Sequence, residues 1–141
     1  MDAFEAISLP ESSSFSCRKR FTVNEANRAL TLVRRIAADI VREYAQLGEL
    51  HASCRMFDAQ GDTARAEEAR GRYAAVTDRL SALREELEEI GCDLKDYASG
   101  LVDFPARIDG RAVLLCWMLG EEKVSHWHEL QAGAAGRQPI G

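Results

Sequence analysis

The chain has 141 residues, 46% of them hydrophobic and 29% charged, and a formal net charge of −5. That length and balance describe one globular domain and exclude general disorder. An acidic chain without a basic field excludes an electrostatic hold on nucleic acid or an anionic membrane, so neither is expected as a partner.

Four cysteines, Cys17, Cys54, Cys92 and Cys116, stand far apart with no C-x-x-C pair among them. The scatter excludes a zinc ribbon or thioredoxin-like motif and suits reduced thiols in the cytoplasm. Met1-Asp2-Ala3-Phe4-Glu5 has neither the basic nor the apolar stretch of a signal peptide. No run reaches the roughly 18 apolar residues of a membrane span. A cytoplasmic location is expected.

Residues 1–20 are expected to form a flexible arm, because Pro10-Glu11-Ser12-Ser13-Ser14 has no periodicity. Order is expected from Phe21. Thr22 with Glu25 three residues later spells a capping box, and Phe21 can staple onto Ala26. Ala26, Leu30, Val33, Ala37, Ile40, Tyr44, Leu47, His51 and Cys54 then recur at alternating spacings of four and three. That is the seam of a long helix. Gly61 supplies a turn, and Asp62 or Thr63 caps the second helix. A second seam runs through Ala66, Ala69, Tyr73, Val76, Leu80, Leu83, Leu87 and Ile90, with Gly91 where a helix-ending glycine belongs.

Two seams of matched length predict an antiparallel, coiled-coil-like helical hairpin over residues 21–91. Off-seam Ala29, Ile36, Val41, Ala45, Ala75 and Ala82 predict a second apolar surface. It is expected to pair with a second copy or to pack on the remainder of the chain. Gly48 lies beside the seam, where close approach of a neighbouring helix is expected. Gly71 lies on the outer face. Each costs about 1 kcal/mol relative to alanine.

Beyond Gly91 the period changes from helical to alternating. Four strands are expected, over residues 92–97, 101–108, 111–119 and 123–129. Their connections are Ala98-Ser99-Gly100, a type I′ turn at Asp109-Gly110 and a II′ turn at Gly120-Glu121. The Asp109-Gly110 turn sets Phe104 opposite Leu115 and Asp103 opposite Cys116. Val102, Phe104, Ala106, Ile108, Val113, Leu115 and Trp117 then share the core face. Pro105 has no N–H, so strand pairing must break on one side there. The fold class is therefore α+β. A helical hairpin is followed over residues 92–141 by a small four-stranded antiparallel meander and a closing tail, with residues 21–141 as one structural domain.

Polar and rare residues concentrate late in the chain: Leu101-Val102-Asp103-Phe104-Pro105, Gly110-Arg111, Leu115-Cys116-Trp117, Gly120-Glu121, Trp127-His128 and Gly133-x-x-Gly136-Arg137-x-Pro139. In this run the chain resembles a mainly bacterial family, domain of unknown function 2203. That family shows G-L-V-D-F-P, G-R, L-C-W, G-E, W-H and G-x-x-G-R-x-P in the same order. The resemblance covers about residues 21 to 140 and implies no particular activity.

The chemistry-bearing candidates fall into two groups. His128, His126, Glu129 and Asp103 are metal-ligand types, with Cys116 also competent, and a divalent metal is the cofactor they would take. Alternation puts both histidines on one face of a strand. A two-residue Gly120-Glu121 turn sends that face to Val113 and Leu115, away from Asp103 and Cys116. A three-residue turn would set His126 beside Cys116. The turn chemistry favours the first. Arg137, Gly136 and Gly133 offer an anion site of guanidinium and flexible backbone N–H groups. The favoured reading there is plainer: Arg137 pairs with Asp103, Glu121 or Glu129 and pins the tail. Cys116 reads as a buried structural cysteine rather than a nucleophile.

The leading expectation is a non-enzymatic interaction or scaffold module. It would be a homodimer through its helices, with Leu30, Val33, Ile40, Tyr44, Leu47, Tyr73, Val76, Leu80, Leu83 and Leu87 as the seam, and the helical arm would meet protein partners. The alternative is a metal- or anion-binding protein, in its sharpest form a metal-dependent hydrolase, with a site in the C-terminal β region.

Overall fold

A computed structural model describes residues 20–141 of the chain. The expected N-terminal arm, apart from Arg20, lies outside the described residues.

Helix α1 spans Val23–Ala59 and helix α2 spans Thr63–Ile90. The capping box forms: the Thr22 hydroxyl accepts from the Glu25 N–H at 3.0 Å, and the Thr22 N–H donates to the Glu25 carboxylate at 2.9 Å. Phe21 packs edge-on against Phe104 with ring centroids 5.2 Å apart, and its N–H donates to the Pro105 carbonyl at 2.7 Å. The start of α1 is thereby tied to the sheet. Asp62 caps α2 by accepting from the Arg65 N–H, and Gly91 ends it with a left-handed φ of 112°.

The seam residues Leu30, Val33, Ile40, Leu47, Tyr73, Val76, Leu80 and Leu87 are buried, while Tyr44 and Leu83 are half-buried against the same core. Each fully buried leucine contributes about 1.5–3 kcal/mol. The second apolar surface divides. Ile36 is buried in the chain's own core, whereas Ala45, Ala75 and Ala82 are not among the buried residues. Gly48 departs from expectation: a Cβ built there meets nothing within 4 Å, so among the described residues no neighbouring helix approaches it closely.

The sheet has five antiparallel strands in chain order: β1 (Asp93–Asp96), β2 (Leu101–Ile108), β3 (Arg111–Met118), β4 (His126–His128) and β5 (Gln138–Pro139). That is one more than the meander expected from the sequence. The tail does not merely close over the sheet; it adds an edge, with Trp127 opposite Gln138 and His126 opposite Pro139. Strand β1 begins at Asp93, across from Asp103. Past that point the edge of β2 is met only by an isolated parallel bridge from Phe21 to Ala106, which uses the Pro105 carbonyl and asks nothing of its missing N–H.

The predicted core face holds. Val102, Phe104, Ala106, Val113, Leu115 and Trp117 are each at most 2% exposed, and Ile108 packs partly buried against them. This face lies on the hairpin. The Asn27 side chain of α1 accepts from the Val124 N–H at 2.7 Å, the Arg34 guanidinium lies 5.9 Å from the Trp117 ring, and Tyr44 stacks on Tyr97. Among the described residues, no helix is long and apolar enough to cross a membrane.

Candidate functional site

Asp109 and Gly110 have φ of 52° and 79°, the left-handed pair that a type I′ turn needs. The turn fixes Ile108 opposite Arg111, and counting back brings Asp103 opposite Cys116. Both side chains point away from the hairpin. This second face is not solvated: Asp103 is 2% exposed and Cys116 is fully buried. A carboxylate and a thiol thus lie side by side in an apolar sheet, where an unpaired polar group is costly.

The histidines arrive by a route that differs from the sequence expectation. Gly120-Glu121 does not close a two-residue turn; residues 119–125 form a longer loop between β3 and β4. Glu121 is the cause. Its carboxylate accepts from the Met118 N–H at 2.7 Å and from the Arg137 guanidinium at 2.7 and 2.9 Å, and its carbonyl accepts from the Trp117 indole at 3.0 Å. Folded back in this way, Glu121 closes a turn across Leu119-Gly120, its N–H donating to the Met118 carbonyl at 3.0 Å, and anchors the loop that follows. The register that results sets His126 opposite Cys116 and His128 opposite Leu114. Both histidines therefore lie on the Asp103 and Cys116 face, not with Val113 and Leu115.

Asp103, Cys116 and His128 form a donor cluster whose carboxylate oxygen, sulfur and ring nitrogen all lie within 4.8 Å of one another. His128 Nε2 is 3.1 and 3.2 Å from the two Asp103 oxygens. On the other side of the ring, Nδ1 is 2.8 Å from the Glu129 carbonyl. A carbonyl only accepts, so Nδ1 carries a hydrogen, and in the neutral ring Nε2 keeps its lone pair. Two acceptors then face each other across 3.1 Å, and a proton or a metal cation must lie between them. Burial pushes the Asp103 carboxyl up, against the attraction of His128. Burial and then the Asp103 charge push the Cys116 thiol up to about 12. A metal-free Cys116 is thus a protonated thiol, which is no nucleophile.

The remaining candidates are placed elsewhere. His126 is half-exposed, with Nδ1 3.1 Å from the Ser125 hydroxyl and 3.7 Å from Glu121, and it is outside the donor cluster. Glu129 is exposed and pairs with Arg111 at 2.9 Å. Arg137 is committed to Glu121. Gly133 and Gly136 shape the short turn at Ala134–Gly136; a Cβ on Gly136 would come within 2.7 Å of the Ala132 Cβ. Gly133 also borders a cleft of about 670 Å³ whose floor includes Asp103 and His128. A smaller cavity of about 480 Å³ runs along the hairpin beside Tyr44, Gly48, His51 and Tyr73.

Sequence reasoning missed Asp93, which is fully buried opposite Asp103 on the same face. The available signal was an acid between Cys92 and Leu94 in an otherwise apolar strand start. It also missed Arg20 and Lys95, both of which border the cleft. Arg20 gave no signal, because it ends a segment without pattern.

The chain belongs to the family described as uncharacterized conserved protein (DUF2203), whose family model matches residues 19–140. No curated protein and no solved structure matches it.

Proposed function

We propose that this member of the family is a divalent-metal protein, with Asp103, Cys116 and His128 as ligands and hydrolysis as its reaction class. One observation carries the reading: His128 Nε2 faces the Asp103 carboxylate at 3.1 Å with Nδ1 already committed to the Glu129 carbonyl, and the Cys116 sulfur is within reach. A cation satisfies all three donors at once. Thiolate, imidazole and carboxylate together suit zinc, with cobalt as a spectroscopic substitute. The Glu129 carbonyl on Nδ1 is the outer partner that orients a metal-binding imidazole.

Three protein ligands leave a fourth position, the pattern of a catalytic rather than a structural zinc site. Asp103 and His128 border the cleft, so that position faces it. A metal there would supply a Lewis acid and a bound water of lowered pKa. The test is a cobalt(II) titration of the untagged chain, beside His128→Ala and Cys116→Ser, followed by absorption.

The helical arm supports a second reading, a homodimeric scaffold of coiled-coil type. Helix α1 has 37 residues and would be about 55 Å long. Contacts from Asn27, Arg34 and Tyr44 tie the sheet to its first part. Leu32 and Met56 are half-exposed on the same helix, and a second copy would cover them. The buried and widely scattered cysteines Cys54, Cys92 and Cys116 support a reducing, cytoplasmic setting for either reading.

A further inference from the structure

The cleft above Asp103 and His128 has a composition that the metal reading does not use. Arg20 and Lys95 border it, two cations lining one cleft of a chain whose net charge is −5. Lys95 is close enough to Asp103 to act on its charge. The walls are largely apolar, with Leu101, Leu114 and Leu130 among them. Leu130 is 51% exposed, one of three large apolar side chains so open among the described residues. Leu130 thus adds apolar surface at the edge of this concave site. About 670 Å³ is the size of an ordinary small-molecule site.

We infer that the cleft binds a small amphipathic carboxylic acid, its carboxylate held by Lys95 and Arg20 and its apolar body laid against Leu114 and Leu130. Cations and apolar wall act on different parts of the same molecule. Inorganic phosphate would satisfy only the first, and a neutral alcohol only the second. The inference rests on the metal reading for one point: Lys95 acts on the charge of Asp103, so the carboxylate that Lys95 holds lies beside the metal site. Anchoring the ligand needs only side chains of this chain.

The experiment uses the full chain loaded with zinc and three probes, 3-phenylpropionate, 3-phenylpropanol and inorganic phosphate, titrated by calorimetry. The acid should bind saturably and about tenfold more tightly than the alcohol or phosphate. Arg20→Gln with Lys95→Gln should remove the preference for the acid and leave alcohol binding unchanged. Leu130→Ser should weaken acid and alcohol equally and leave phosphate alone. Equal binding of acid and alcohol, phosphate binding as tight as the acid, or no saturable binding of any probe would overturn the inference. Metal content is read separately on the same samples. Metal bound with no preference for the acid sinks this inference alone. The preference intact in a chain that takes no metal sinks the metal reading alone.

Discussion

Cys116 shows how much one position in a sheet decides. With its thiol pushed up to about 12 from an ordinary 9.0, the folded chain keeps a proton that the unfolded chain releases. The stability this contributes is therefore complete below pH 9 and is lost as pH rises toward 12. A metal must displace that proton, and also the one shared between His128 and Asp103. Zinc binding at neutral pH should release about two protons per ion, measured by calorimetry in buffers of different ionisation enthalpy. Release of none would remove the thiolate and the carboxylate from the ligand set. Glycines make a second prediction at this scale. Gly48→Ala and Gly71→Ala meet open space and should each raise stability in urea by about 0.5–1 kcal/mol. Gly100→Ala should lower it by about 1–3 kcal/mol, because its φ is +71° and its Cβ would lie 2.9 Å from that of Leu119. All three are glycines in the sequence. The neighbours that separate them come from elements far along the chain.

At the scale of elements, legibility followed locality. Thr22 and Glu25 announce α1, Gly91 ends α2, and Asp109-Gly110 fixes the β2–β3 register, each within a few residues of its effect. Hence Asp103 opposite Cys116 could be read directly. The β3–β4 connection could not. Gly120 does take a positive φ of 105°, as a turn glycine should. Arg137, sixteen positions beyond Glu121, captures that carboxylate and lengthens the connection. The same distant partner explains the unforeseen β5, since the tail that carries Arg137 is drawn alongside β4. Glu121→Ala would free the Met118 N–H and strip Arg137 of its partner in a half-buried setting. About 1–3 kcal/mol should be lost, seen as a lower Tm, with loosened protection of the amides in β4 and β5 by hydrogen exchange. Unchanged protection there would mean that the loop is held by other contacts.

For the whole molecule, the seam pattern dictated the hairpin and the alternating pattern dictated the sheet, and the two share one hydrophobic core. What the patterns left open was the far face of the sheet, which alternation alone marks as the outer side. Asp103, Cys116 and His128 are buried there. The scaffold reading has its own test at this scale. Light scattering at micromolar concentration should report twice the 15.6 kDa of the chain, and a value at 15.6 kDa would end it without touching the metal site. Cobalt titration tests the Asp103, Cys116 and His128 site itself. One cobalt per chain is expected, with a tetrahedral d–d spectrum and a near-ultraviolet thiolate charge-transfer band. Cys116→Ser should lose the charge-transfer band, and His128→Ala should lose tight binding. A spectrum of six-coordinate cobalt without charge transfer, identical in the chain and both variants, would contradict it.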